Sequence, residues 1–390
     1  MKNIYMDYAS TTPVDSEVVS AMLPYFDKKF GNASSLHQFG RQAHEALDTA
    51  RDNVATLINA KQKEIIFTAG GTESDNIAIQ GVALANSDKR KLPGPHILTS
   101  TIEHPAVLET CKQLEMQGYK IKYLPVDKHG IINLEELKNS ISKGSFLITI
   151  MYANNEIGTI QPITEIGEIA KENKILFHTD AVQAMAKVSI DVTKQNIDLL
   201  SASSHKMYGP KGIGGLYIKE GVRLQPILFG GGHERGLRSS TENIPGIVGF
   251  GKSCELAKKR LNADCEHMKK LRDILIKNIV TIDETYLNGH KEKRLVNNAH
   301  FRFNGIEGES LLLSLDDKGI SVATGSACSS KKLAPSHVLL ALGLSAVQAH
   351  GSLRLSLGRT STTDEVTYVC DVLPEIIMRL RKMSPLWVSK

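Results

Sequence analysis

Seven short apolar runs, rich in β-branched and aromatic residues, punctuate the first two-thirds of the chain. They are EIIFT (64–68), HILTS (96–100), KIKYLPV (120–126), FLITIMY (146–152), ILFHTDA (175–181), DLLSAS (198–203) and GGLYI (214–218). Their length and continuity predict strands buried on both faces. Between most of them apolar residues recur at helical spacing, as in ITEIGEIAKENK, where Thr164 is the predicted N-cap. Strands alternating with helices predict an α/β fold with a mostly parallel central sheet flanked by helices. Such sheets bind ligands beyond the carboxyl ends of their strands. The motifs described below fall at those ends or in the loops that follow.

After the glycine cluster GGGHERG the pattern turns helical over about 244–281. Beyond it, HFRFN, SLLLSLDDKG and SLRLSLG predict a smaller α/β domain. The expected division is a large domain over 14–255 and a small one built from 1–13 and 256–390. Residues 1–13 are expected to form an extended arm beside the small domain, which also carries a loop at about 323–334. No internal repeat or low-complexity tract is present.

Composition narrows the class of function. The chain has 390 residues, 41% hydrophobic and 23% charged, which is ordinary for a globular protein of about two domains. The net charge of +5 is modest and its basic residues are dispersed, which argues against a nucleic-acid partner. Five widely spaced cysteines without a CxxC pair argue against a disulfide framework or a structural zinc. MKNIYMDYASTTP has no signal-peptide pattern, and FLITIMYA is too short to span a bilayer. A soluble, cytoplasmic protein is expected.

The candidate chemistry centres on SSHKMYGPKG. Lys206 follows a predicted strand end, and a lysine there is costly unless its amine is engaged. In a partly desolvated pocket it becomes a nucleophile toward carbonyls. Ser203, Ser204 and His205 beside it can donate to a phosphate. Together these suggest an aldehyde cofactor with a phosphate handle, pyridoxal 5'-phosphate; the alternative is a surface lysine in a polar turn. Asp180 in HTDAVQ can pair with a protonated pyridine nitrogen, or simply cap a helix. Gln183 can reach the phenolic oxygen of such a ring. One helix and one strand are expected between Asp180 and Lys206, placing both on neighbouring strand ends. TAGGTESDN puts Gly71 and Thr72 at a helix start suited to an anion, although many such turns are only tight loops. His104 in IEHPAV can stack on a planar ring and shuttle protons, or act as a cap. Asn155 and Arg354 suit a cofactor or a substrate carboxylate, with a surface salt bridge as the alternative for the arginine.

Cys328 lies in VATGSACSSKKLAPSH among small residues, which predicts a mobile loop rather than a core strand. Lys331 and Lys332 nearby favour its thiolate. The other four cysteines fall in helical patterns and read as packing residues.

These residues, in order, resemble the cysteine desulfurases of the NifS/IscS group, within the aspartate-aminotransferase-like fold type I of pyridoxal phosphate enzymes. The resemblance runs from MDYASTTPVD through GNASSLHQFGR, TESDN, EHPAV, ANNEIGTIQP, HTDAVQ, SSHKMYGPKG and GGGHERGLRS to TGSACSS and HGSLRLSLGR. It implies that Lys206 bonds the cofactor aldehyde. It implies further that Asp180 partners the ring nitrogen, Gln183 the phenolic oxygen, and that His104 stacks on the ring. Thr72, Ser203 and His205 match phosphate ligands, and Thr241 matches a phosphate contact supplied from the other subunit of a homodimer. Asn155 and Arg354 match the substrate-carboxylate clamp, and Cys328 matches the nucleophile that becomes a persulfide. The implied reaction converts L-cysteine to L-alanine and passes sulfur to acceptors, with an iron–sulfur scaffold of the NifU/IscU type as the expected partner. No resident metal is implied, although Cys328 is a candidate transient iron–sulfur ligand. Two positions depart from the family pattern: Ser240 stands where glycine is usual, and Gly71 where alanine is common. The alternatives are a selenocysteine lyase, an aminotransferase, and a non-catalytic scaffold; the last would tolerate loss of Lys206, Asp180 or Cys328, and all three are present.

Overall fold

The computed structural model describes residues 3–324, 335–385 and 387. Its strands are β1 (Ile4–Tyr5), β2 (Ile65–Thr68), β3 (Ile97–Ser100), β4 (Ile121–Leu124), β5 (Leu147–Thr149), β6 (Leu176–Asp180), β7 (Leu199–Ser203), β8 (Gly214–Ile218), β9 (Thr285–Leu287), β10 (Asn298–Phe303), β11 (Ile320–Ser321) and β12 (Ser352–Ser356). Every one of the seven apolar runs forms a strand, most of them trimmed at the ends. They make one sheet in the order β2-β8-β7-β6-β5-β3-β4, in which only β8 runs antiparallel to its neighbours.

Alternation along each strand divides the apolar residues between two faces. Ile65, Phe67, Ile148 and Leu200 join one core, with helices Gln38–Leu57 and Ile163–Glu172 packed over it. Ile66, Leu147 and Leu199 point the other way, under helices Gly71–Ala85 and Pro105–Met116. Both faces are covered, which is why these strands read as continuous apolar runs.

The helix Ile244–Ile279 links this body to the rest. Ile247, Phe250 and Cys254 in its first half belong to the large core, whereas Leu271, Leu275 and Ile279 belong to another. That second core lies over an antiparallel sheet ordered β12-β10-β9 and takes in helix Thr363–Met383. The N-terminal residues join it too: β1 pairs parallel with β11, and Ile4 and Met6 are buried there.

Two local expectations need correction. Thr164 is not an N-cap: the helix already begins at Ile163, with Pro162 in the cap position and no side-chain cap. Proline fixes φ near the helical value, here −75°, so the chain enters the helix before Thr164 is reached. Nor does a helix join β6 to β7, since residues 182–187 form turns. Ala186 (φ 60°) and Asn196 (φ 50°) adopt left-handed backbone, which interrupts any helix between the two strands. The strands are nonetheless adjacent and parallel, as expected.

The GGGHERG segment is tied to the large body by a buried ion pair. Arg51 donates to both carboxylate oxygens of Glu234, at 2.7 and 2.9 Å, and Glu234 also accepts from the Phe67 amide at 3.0 Å. Their side chains are only 11% and 3% exposed. Glu234→Ala would leave the guanidinium buried without its carboxylate. The expected loss is about 3–5 kcal/mol of stability, read as a lower midpoint in chemical denaturation. Farther along the segment, Ser240 has φ 134°, a conformation that favours glycine. The departure at this position thus puts a side chain where the backbone geometry suits none, and that side chain is exposed.

Candidate active site

Seven chain segments converge beyond the carboxyl ends of the parallel strands and enclose a cavity of about 270 Å³. Lys206 enters it from a 3-10 turn, Ser204–Lys206, directly after β7. The turn is closed by Gly209, whose amide donates to the Ser204 carbonyl at 3.1 Å. A Cβ at Gly209 would lie 1.9 Å from Ser204 Oγ, so only glycine fits. The N-terminal segment straps the turn from outside. The Thr12 amide and hydroxyl both donate to the His205 carbonyl at 3.0 Å. Lys206 Nζ donates to the carbonyls of Ala9 and Ser10 at 2.7 and 2.6 Å.

Asp180 ends β6, the strand beside β7, and its carboxylate accepts from the Val182 amide at 2.9 Å. Burial pushes its carboxyl above the usual range, while His104 and Lys206 pull it back. His104 is a cap and also lines the cavity. Its Nδ1 accepts from the Ala106 amide at 3.1 Å and caps helix Pro105–Met116, and its ring lines the cavity. Burial, with Asp180 opposing it and Lys206 adding to it, favours the neutral imidazole. His205 is likewise lowered to about 4 by burial and nearby lysines, so it is a neutral donor at ordinary pH.

Thr72 lies in the first turn of helix Gly71–Ala85, and Gly71 and Thr72 both line the same space; the first amides of a helix have no intrahelical partner and suit an anion. A Cβ at Gly71 would come within 2.6 Å of Val182 Cγ2. This explains the second departure: glycine leaves room for Val182 on the cavity wall. Gln183 lines the cavity, but its amide donates to the Ala9 carbonyl at 2.9 Å, the acceptor Lys206 also uses.

Arg354 is buried on β12, not at the surface, so the simple surface salt bridge is excluded. It donates to Asp7 Oδ1 at 2.8 Å, to Ser10 Oγ at 2.7 Å and to the Asn155 carbonyl at 3.1 Å. Its Nε is buried with no hydrogen-bond partner among the described residues. A buried guanidinium that lines a cavity suits an incoming carboxylate.

Ten of the residues singled out from the sequence therefore meet around one space: Gly71, Thr72, His104, Asn155, Asp180, Gln183, Ser203, His205, Lys206 and Arg354. Three do not. Ser204 is fully buried and does not line this cavity, Thr241 sits on the exposed segment after GGGHERG, away from it, and Cys328 lies outside the described residues. The segment that carries Cys328 is anchored beside the site at both ends. Ala323 and Arg354 exchange backbone hydrogen bonds, and His337 Nε2 contacts the Glu103 carbonyl at 3.0 Å.

Comparison with known proteins matches residues 4–369 to the family described as Aminotransferase class-V. A curated relative, cysteine desulfurase IscS of Methanosarcina thermophila, is 56% identical over 385 residues, covering 99% of this chain and 94% of that protein. The chain belongs to the cysteine desulfurase group of the class-V aminotransferase family. Two solved structures share its architecture. A NifS-like protein is 39% identical with a TM-score of 0.90, covering 97% of this chain and 100% of the other. A structure of SspA in complex with cysteine is 36% identical with a TM-score of 0.82, covering 92% and 100%. The family resemblance read from the sequence, and the fold type I architecture it implied, therefore hold.

For this desulfurase-family chain, sequence reasoning missed several contributors to the site. Asp75, in TESDN, lines the cavity with a fully buried carboxyl, raised well above its usual range by burial and by Asp180. Glu103, next to His104, accepts from Ser100 Oγ and the Met151 amide, and burial lifts it to about 8. The carbonyls of Ala9 and Ser10 carry no signal in a sequence at all. Asp75 and Glu103 do carry one: each is a charged residue in a segment where a helix meets an apolar strand.

Proposed function

We propose that this chain is a pyridoxal phosphate-dependent cysteine desulfurase that converts L-cysteine to L-alanine and retains the sulfur as a persulfide on Cys328. The observation that carries this reading is the meeting of Lys206, Asp180 and the buried Arg354 around one cavity. The donor set fits the cofactor. Thr72, Ser203, His205 and the open helix amides suit a phosphate. Asp180 suits a cationic ring nitrogen, and Lys206 suits an aldehyde. When bound, the cofactor supplies the electron sink that makes an amino acid's α-proton acidic.

The protein's own groups then have distinct tasks. Arg354, oriented by Asp7 and Ser10, holds the substrate α-carboxylate together with Asn155. Lys206 Nζ removes the α-proton, and the neutral imidazole of His104 moves protons beside it. The Cys328 thiolate attacks the substrate sulfur, forming an S–S bond as the C–S bond breaks; the bonding pair stays with the substrate carbon, which takes up a proton and leaves as alanine. Cys328 follows Thr324 by four residues, a chain reach of at most about 14 Å.

The wider assignments rest on different support. A homodimer with shared sites accounts for Thr241 lying away from its own cavity. It also accounts for exposed apolar side chains in one stretch of the chain, among them Leu23, Phe26, Phe30 and Leu36, the last 90% exposed. Two hydrophobic cores that meet along helix Ile244–Ile279 support the division into domains over 14–255 and over 1–13 with 256–390. Four described cysteines that form no disulfide and the lack, among the described residues, of a helix able to cross a membrane support a cytoplasmic enzyme. Transfer of the persulfide sulfur to an iron–sulfur scaffold of the NifU/IscU type is the proposed next step.

The decisive test gives the cofactor-loaded protein L-cysteine and a thiol reductant. Alanine and sulfide are expected in equal amounts. Formation of an α-keto acid instead would make the protein an aminotransferase, and turnover of selenocysteine alone would make it a selenium-specific lyase.

A further inference from the structure

Behind the active-site lysine stands a second lysine that the reaction above does not use. Lys187 is 6% exposed, and its Nζ donates to the backbone carbonyl of Lys206 at 3.2 Å. Among the described residues no carboxylate lies within ion-pair distance of it. Burying an ammonium without a carboxylate is unfavourable. The backbone just before it is also strained, because Ala186 adopts φ 60°. Two local costs thus converge on placing one cation against one carbonyl.

Lys187 and Lys206 both line a small space of about 20 Å³, room for a single water, together with Tyr8, Tyr208, Asp264 and Arg359. The Lys187 backbone carbonyl accepts from Cys265 Sγ at 3.3 Å. The charged and titratable groups around it are therefore Lys206 and His205 on the active-site turn, Cys265 and Asp264 on the long helix, and Arg359 beyond. Facing the Lys206 amine from the cavity side are Asp180, His104 and His205.

We infer that Lys187 is a positioning residue for Lys206: its ammonium pins the Lys206 carbonyl and, as a buried like charge, eases loss of the proton from the Lys206 nitrogen. Like charges repel across a dry interior, so a cation behind Lys206 disfavours a second one. The inventory of surroundings agrees, because burial and Lys206 together lower Lys187 to about 8, with Cys265 opposing them. Lys187 is therefore mostly charged near pH 7 and loses this influence as the pH rises through that value. The same repulsion is felt by His205, which Lys187 helps keep neutral.

This inference rests on Lys206 being the cofactor-bearing lysine, and the experiment separates the two. The visible absorbance of the holoenzyme is followed against pH for wild type, Lys187→Met, Lys187→Gln and Lys187→Arg. Borohydride reduction followed by peptide mapping first checks that the cofactor is on Lys206; failure there rejects the functional reading itself. With that established, the two neutral variants should raise the midpoint of the spectral transition by about one pH unit, and Lys187→Arg should stay near wild type. Gln keeps a donor for the Lys206 carbonyl without the charge, so its shift isolates the electrostatic part. Unchanged midpoints in both neutral variants, or an equal shift in the arginine variant, would overturn the inference. Loss of the visible band from both neutral variants would overturn it too, since Lys187 would then be needed only for folding.

Discussion

Lys206→Ala is expected to lower kcat/KM for L-cysteine by roughly 10³-fold or more, equivalent to about 4 kcal/mol of transition-state stabilisation. Two functions disappear together, the nitrogen that bonds the cofactor and the base that takes the α-proton. The fold has little reason to fail, because the amine's acceptors are two backbone carbonyls of the N-terminal strap, Ala9 and Ser10. The strap keeps its other fastenings, through Thr12 to the His205 carbonyl and from Gln183 to the Ala9 carbonyl. Alanine production in the steady state, measured beside a thermal melt, separates lost chemistry from lost structure. A folded variant that retained a tenth of wild-type kcat/KM would reject Lys206 as the active-site lysine.

Cys328→Ser is expected to abolish protein-bound persulfide and to reduce sulfide release by at least about 100-fold, with the visible absorbance unchanged. A serine hydroxyl is not ionised near neutral pH and is a poor nucleophile toward sulfur. None of the four described cysteines is placed to replace it. Burial pushes the thiols of Cys111 and Cys254 far up, and burial lifts Cys370 to about 11. Cys265 is also raised by burial, and its Sγ is engaged with the Lys187 carbonyl. Arg354 and Asn155 remain, so binding of L-cysteine should persist. Persulfide labelling of the intact protein reads the result, and full-rate sulfide release by the variant would exclude Cys328 as the sulfur carrier.

The two predictions draw on different kinds of information. Lys206 and Asp180 were legible as a pair because each closes an apolar run, and strands of a parallel sheet deliver their ends to one edge. Arg354 was legible as a residue type but not as a buried one. Its burial depends on β12 pairing with β10 and on Asp7 arriving from the N-terminus. Gln183 lines the cavity, and in the fold its amide also holds the strap. A residue's type states what it can bond, and only its neighbours decide what it does bond.

By itself, then, the sequence determined the sheet, its helical layers, the family and most of the chemical inventory. Those depend on local periodicity and on motifs that are continuous in the chain. The tertiary structure alone decided that Ala9 and Ser10 hold the Lys206 amine, that Arg51 anchors Glu234, and that Lys187 stands behind Lys206. Each of these joins groups that belong to different segments of the chain. Hydrogen bonds and buried charges are set by distance in space, and neither spacing nor periodicity encodes it.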